Sequence, residues 1–165
     1  MIETIEYKGK KYPKFQASGH ASRFIENIAL EVCKGVGLDI GCGKKEWSLP
    51  YSIPIDKSFN DGFDASCIPY SKDGYDYIFS SHCLEHLNNW KFHLDYWISC
   101  IRMGGILFLY LPDYSQGYWS YGNLKHESIF TPEIIRGFME DRGLENIFVS
   151  GCDLNNSFAA MAEIP

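Results

Sequence analysis

The chain has 165 residues, of which 45% are hydrophobic and 22% charged. That is a globular composition, it excludes wholesale disorder, and the length fits one domain, 1–165, around one sizeable core. A net charge of -6, with no basic cluster beyond Lys8-Gly9-Lys10-Lys11, excludes nucleic acid as the expected partner, because a broad nucleic-acid footprint needs a basic face. No apolar run approaches the roughly 20 residues of a membrane helix, so no membrane is expected. Met1 to Lys14 alternates charged and apolar residues and lacks the apolar centre of a secretory signal. The six cysteines, Cys33, Cys42, Cys67, Cys83, Cys100 and Cys152, form no Cys-x-x-Cys pair and match no zinc spacing. Cys33, Cys67, Cys100 and Cys152 adjoin apolar segments, where a thiol behaves as a small hydrophobe. A reducing, cytoplasmic compartment is expected.

Residues 1–14 read as extended. The spacing predicts a helix over 18–34, with Ser18 as N-cap and Phe24, Ile25, Ile28, Ala29 and Val32 as its apolar stripe. Gly35 and Gly37 stop it. A first strand over about 36–40 runs into the turn Gly41-Cys42-Gly43, and a second, Ser52–Asp56, ends on an acid. Only Phe63-Asp64-Ala65 offers a third. Tyr75–Ser81 and Gly105–Leu111 are buried strands, separated by a helix over Asn89–Arg102 with Trp90, His93, Leu94, Trp97, Ile98 and Ile101 on one face. A second helix over Thr131–Arg142 carries Thr131 as N-cap, Pro132 at its first position and Glu133 in its first turn. Asn146–Val149 and Ser157–Ile164 are the last strands.

Strands alternating with helices predict an α/β fold: a mostly parallel, doubly wound sheet over 35–165, preceded by an extension and helix over 1–34. The last two strands are separated only by Ser150–Asn156. A parallel crossover needs about a dozen residues or more, so these strands should form an antiparallel hairpin at one edge.

A strand that stops on glycines lets backbone approach a ligand, because no Cβ intervenes. Open α/β sheets bind nucleotide-like ligands at that place. With the residues that follow, the chain resembles the class I S-adenosylmethionine-dependent methyltransferases, in particular the small type-11-like group, from about Gly35 onward. Leu38–Gly43 (LDIGCG) resembles that family's glycine motif, and Ile55-Asp56 its acid at the second strand end. Asp64–Tyr77, Ile78–Leu87 and Arg102–Pro112 resemble the segments around its fourth and fifth strands. The resemblance implies a Rossmann-like fold, S-adenosylmethionine as cofactor and S-adenosylhomocysteine as product. It implies that Gly41, Cys42 and Gly43 pass against the methionine part, and that Asp39 orients the cofactor's amino group. Asp56, beside Lys57, would accept from both ribose hydroxyls. Asp64 with Ala65 would meet the adenine edge, with Pro69-Tyr70 packed beneath. Ser80, Ser81 and His82 would line the methionine and the acceptor entrance. Two departures stand out: Lys45 replaces a frequent third glycine, and the crossovers Lys44–Tyr51 and Lys57–Phe63 are short. One sheet edge should therefore be stunted.

The acceptor side is less determined. His82 and His86, four apart, invite a zinc reading, but Glu85 is adjacent to His86, the wrong order for His-Glu-x-x-His, and no third ligand is evident; no metal is expected. The long loop Pro112–Phe130 holds Asp113, Tyr114, Tyr118, Trp119, Tyr121 and His126 and reads as a lid or substrate wall. His82, Asp113 and His126 are the candidate catalytic bases, although His126 serves equally well as a hydrogen-bonding partner of the Phe130–Pro132 turn. His20 and Arg23 are candidates for the cofactor's carboxylate. The acidic chain and aromatic loop favour a small-molecule or glycan-type acceptor, and a short chain with an open site allows a homo-oligomer to close it. The rival functions are a non-catalytic binding or assembly module of the same fold and an NAD-dependent oxidoreductase. Glu46 breaks the Gly-x-Gly-x-x-Gly order that the oxidoreductase requires.

Overall fold

A computed structural model describes residues 3–7, 9–14, 19–59, 62–120 and 125–165; the predicted cap Ser18 and the loop residue Tyr121 lie outside them. β1 (Thr4–Tyr7) and β2 (Lys10–Pro13) form an antiparallel ribbon with Thr4 opposite Pro13. The predicted first helix is split into a 3-10 turn, Ala21–Phe24, and α1, Glu26–Val32. Its buried row is Ala21, Ile25, Ala29 and Cys33, spaced by four, so the expected stripe is displaced and Ile28 is exposed.

Six strands make the main sheet: β3 (Gly37–Ile40), β4 (Ile53–Ile55), β5 (Tyr75–Ser81), β6 (Ile101–Pro112), β7 (Glu145–Val149) and β8 (Ser157–Glu163), in the spatial order β4-β3-β5-β6-β8-β7. β3 pairs parallel with β4 and β5, and β5 with β6. β8 runs antiparallel to both β6 and β7, which is the terminal hairpin expected from the short connection. Phe63-Asp64-Ala65 does not join the sheet. Asp64 instead turns back to bridge Cys67, and its Oδ1 accepts from the N–H groups of Ser66 (2.7 Å) and Cys67 (3.1 Å). An acid that satisfies its own loop's amides favours a turn over a strand. The sheet therefore stops at three-residue β4, and the short crossover before it holds only a 3-10 turn, Lys45–Trp47.

Side chains of β5 and β6 alternate between two cores. Phe79, Phe108 and Tyr110 point to the face covered by α1. Ile78, Leu107, Leu109 and Leu111 point to the face covered by α2 (Trp90–Cys100) and α3 (Pro132–Asp141). Thr131 Oγ1 accepts from the N–H of Ile134 at the start of α3, as its N-cap position predicts. Trp97 of α2 is fully buried, and its Nε1 donates to the Ala65 carbonyl (2.8 Å), tying the loop after β4 to the helix layer. Tyr70 does not pack beneath that loop; it is exposed, and Tyr75 packs there instead, donating to the Pro69 carbonyl. All six cysteines are free, and Cys67 and Cys152 are exposed rather than packed. Among the described residues no helix is long and apolar enough to cross a membrane.

Candidate active site

The parallel strands β3, β4 and β5 end at one side of the sheet, and a cavity of about 960 Å³ opens there, the place where open α/β sheets hold ligands. Gly41, Gly43, Asp56, Lys57, Asp64 and Ala65 line one wall. Gly41 and Gly43 both adopt left-handed backbone, with φ of +81° and +75°. A Cβ on Gly41 would collide with the Cβ and Sγ of Cys83, so glycine is required by both torsion and space. The Gly41 N–H donates to the Ile55 carbonyl. Asp56 extends the same clamp: Oδ2 accepts from the N–H of Gly43 (2.8 Å) and Oδ1 from that of Ser58 (2.9 Å). The strand-end carboxylate thus fixes the glycine turn while standing at the cavity wall.

Asp39, Cys42, Ser80 and Ser81 lie behind this wall and do not line the cavity. Asp39 is buried, with Oδ2 accepting from the Leu49 N–H (2.6 Å) and Oδ1 without a hydrogen-bond partner among the described residues. Burial pushes its carboxyl up to about 7, helped by the nearby charge of Asp56 and opposed by the Leu49 N–H. Cys42 is buried beside Asp39 and Asp56, and its thiol is pushed up to about 12, foremost by burial; it is neither nucleophile nor ligand at neutral pH. Ser80 Oγ donates to the Ile40 carbonyl (2.9 Å) and joins β5 to β3.

The opposite wall carries His82, Cys83, Glu85, His86, Trp119 and His126. His82 follows β5 in left-handed backbone, φ +49°, an uncommon conformation that here is held by its N–H to the Tyr110 carbonyl (2.9 Å). Its ring lies between Tyr110 and Trp119, with Nε2 2.9 Å from Ser157 Oγ. Trp119 belongs to a helical turn, Gly117–Ser120, within the predicted lid, and its Nε1 donates to the Asn156 carbonyl (2.8 Å). His126 stacks on Trp119 and meets His86 edge to face. Burial depresses His82 to about 3 and His126 to about 4, the neighbouring histidines adding to the effect.

Asp113 is a correction. It is buried outside the cavity, and its Oδ1 accepts from the Ser115 N–H (3.0 Å). It shapes the turn after β6. Glu85 is the residue that sequence reading missed. It is fully buried on a 3-10 turn, Leu84–His86, and Oε1 lies 3.6 Å from His82 Nδ1, 3.8 Å from His86 Nε2 and 4.0 Å from His126 Nε2. The missing third group beside His82 and His86 therefore exists, drawn partly from a loop forty positions on. Burial pushes the Glu85 carboxyl up to about 8.

A family model described as a methyltransferase domain matches residues 17–149. Among curated proteins none matches the sequence significantly. Solved structures do match. A S-adenosylmethionine-dependent methyltransferase from Thermotoga maritima superposes with a TM-score of 0.68 at 14% identity, covering 92% of this chain and 93% of its own. The N-methyltransferase NodS of Bradyrhizobium japonicum, in complex with S-adenosyl-l-homocysteine, gives 0.58 at 14%, covering 92% and 88%. A chain of the complex between the Haloferax volcanii Trm112 methyltransferase activator and a methyltransferase gives 0.64 at 11%, covering 92% of each. At such identities the structural likeness is one of fold.

Proposed function

The chain belongs to the methyltransferase-domain family, and on that premise we propose that it transfers a methyl group to a small-molecule or glycan-type acceptor. The cofactor of the family is S-adenosylmethionine, with S-adenosylhomocysteine as the product. The observation that carries the reading is the convergence of Gly41, Gly43, Asp56 and Asp64 on one wall of a cavity whose other wall is histidine and tryptophan. The residues present fit the group. Two left-handed glycines clear space at a strand end, a carboxylate stands where ribose hydroxyls would donate, and the volume lies within the range of about 300–1,000 Å³ for ligand sites.

In this reading Gly41 and Gly43 hold the methionine part, Asp56 the ribose, and the Asp64–Ala65 loop, pinned by Trp97, the adenine. When bound, the cofactor supplies an activated methyl on a sulfonium. The chain's own contribution is to position the acceptor near attack distance and to exclude water with the Trp119 segment. The depressed histidines His82 and His126 are neutral at pH 7 and are weak bases. That observation keeps a second reading in view, a module that binds the cofactor without turnover. Six free thiols support a reducing, cytoplasmic setting.

Calorimetric titration with S-adenosylmethionine, S-adenosylhomocysteine and NAD tests the reading. The expected result is saturable binding of both adenosyl ligands, none of NAD, and binding weakened roughly a hundredfold in Asp56→Ala. No binding of either adenosyl ligand would sink it. Binding without methyl transfer across an acceptor screen would favour the non-catalytic module.

A further inference from the structure

We propose that Glu85, His86 and His126, flanked by His82, bind one divalent transition-metal ion on the acceptor side of the cavity. One ligand atom from each of Glu85, His86 and His126 lies within 4.8 Å of the others. The Glu85 carboxyl is fully buried and aimed among the three rings, and no other described residue donates a hydrogen bond to either of its oxygens. A buried carboxylate left so is costly unless a proton or a cation completes it.

The surrounding hydrogen bonds decide which way the rings present their lone pairs. His86 Nδ1 lies 2.9 Å from the Lys125 carbonyl, which can only accept. Nδ1 therefore carries the hydrogen, and Nε2 turns its lone pair toward Glu85, the arrangement that prepares a histidine for a metal. Ser157 Oγ lies 3.1 Å from the Asn155 carbonyl, to which it can donate, and that lets His82 Nε2 be the donor in its 2.9 Å contact with Ser157. That leaves the His82 Nδ1 lone pair facing Glu85 Oε1. Where Glu85 is ionised, the two imidazole lone pairs and its oxygen repel one another; a proton relieves this at one ring only, whereas a metal ion among them converts the repulsion into coordination.

The spacing agrees. Contacts of 3.6, 3.8 and 4.0 Å to Glu85 Oε1 are too long for hydrogen bonds. Ligand atoms around a tetrahedral ion with bonds of about 2.0–2.2 Å sit roughly 3.3–3.6 Å apart, so the cluster closes on an ion by shifts of under about 1 Å. The loop that brings His126 is already fixed to its partner, because the Glu85 carbonyl accepts from the N–H groups of Glu127 (2.8 Å) and Ser128 (3.1 Å). Imidazole nitrogens with one carboxylate select zinc, iron, cobalt or manganese over magnesium and calcium. The His86 side chain is 40% exposed and faces the cavity, which gives the ion a path in and an open coordination position. If the methyltransferase reading holds, an acceptor hydroxyl placed there would bind the ion and become more acidic, supplying what two weakly basic histidines do not.

The test uses the full chain after treatment with a chelator, titrated with zinc(II) and cobalt(II) by calorimetry and visible absorption. The expected result is one equivalent of metal, with the d–d bands of a nitrogen-bound cobalt(II) ion. Affinity should fall by about 10–100-fold or more in His86→Ala and His126→Ala and stay unchanged in His93→Ala. Zinc should also shift the ring-nitrogen resonances of His86 and His126 in the unsubstituted protein while leaving those of His93, a readout independent of how the variants fold. Absence of saturable binding, or equal affinity in His126→Ala and His93→Ala, overturns the site. S-adenosylhomocysteine is titrated in parallel to separate the two readings. Its binding without metal binding removes the metal site alone, and metal binding without it removes the methyltransferase reading and leaves the site.

Discussion

The two walls of the cavity are built from different materials. The wall after β3 and β4 is backbone: left-handed glycines, amides caught by Asp56, and a loop whose acid caps its own N–H groups. The wall after β5 is side chain: three histidines, a glutamate, a cysteine and a tryptophan brought together from positions 82 to 126. Each also has a buried acid, Asp39 behind the first and Glu85 within the second. Asp39 keeps one oxygen on the amide of Leu49 from another segment, whereas no other described residue donates a hydrogen bond to either oxygen of Glu85. The first wall is held by backbone amides, whereas the second leaves a buried carboxyl that a proton or, in the proposed site, a metal ion would complete.

The largest test of that contrast is Asp39→Asn, which removes a buried charge that the Leu49 amide and Ser48 only partly offset. The folded carboxyl titrates near 7, against an ordinary 3.8. A raised acid contributes its full share of stability below its ordinary value and loses it as pH rises through its folded value. At pH 8 the ionised group therefore costs at most about 4 kcal/mol, from roughly three pKa units at 1.36 kcal/mol each. Urea denaturation should show Asp39→Asn more stable than the parent at pH 8, and by only about half as much at pH 5.5. An equal gain at both values would mean that Asp39 is not the titrating group.

Asp56→Ala comes next and acts on binding. A carboxylate that accepts two hydroxyl donors contributes about 3 kcal/mol or more, so S-adenosylhomocysteine should bind roughly a hundredfold more weakly by calorimetry. Loss of the clamps to Gly43 and Ser58 adds to the effect by loosening the glycine turn. Unchanged affinity would move the ribose elsewhere in the cavity. Gly41→Ala should lower stability by about 2 kcal/mol, since left-handed backbone alone costs roughly 1–2 kcal/mol and the methyl also meets Cys83. For a chain of this size that lowers Tm by about 4–8 °C. Gly151→Ala, where the added Cβ meets nothing within 4 Å, should leave Tm within about 1 °C. Similar Tm values for both variants would show that the turn tolerates a side chain.

The backbone wall was legible in the sequence because its signals are local. A glycine pair after an apolar strand and an acid at the next strand end need only their neighbours to be read, and β3, β4 and β5 fall within a residue or two of their predicted bounds. The stunted edge followed from counting crossover residues. The side-chain wall was not legible in the same way. Glu85 and His86 converge because a 3-10 turn, not a helix, follows β5, and His126 reaches them through two hydrogen bonds to the Glu85 carbonyl. No spacing rule encodes that contact. Asp113 failed for a related reason: an acid after a strand reads alike whether it faces the cavity or caps its own turn, and Ser115 decides it. Tyr70 is exposed, and it is Tyr75, buried at the start of β5, that reaches the Pro69 carbonyl.

The smallest effect is expected where the two materials meet. Trp97 belongs to the helix layer, yet its one polar atom holds the Ala65 carbonyl of the backbone wall. Trp97→Phe keeps most of the buried ring and removes only that donor and the outer ring edge. The loss should be about 1–2 kcal/mol, one hydrogen bond and a small cavity, or roughly 2–8 °C in Tm. If the Asp64–Ala65 loop forms the adenine edge, S-adenosylhomocysteine affinity should fall a few-fold in parallel, while metal affinity at His86 and His126 should not move. A loss of metal affinity alone would reverse the assignment, because it would make Trp97 a support of the side-chain wall. Loss of both to the same degree would show that the walls are one mechanical unit. The expected split, with cofactor affinity moved and metal affinity kept, follows from the hydrogen bond itself, which reaches the loop after β4 and makes no contact with the turn that carries Glu85.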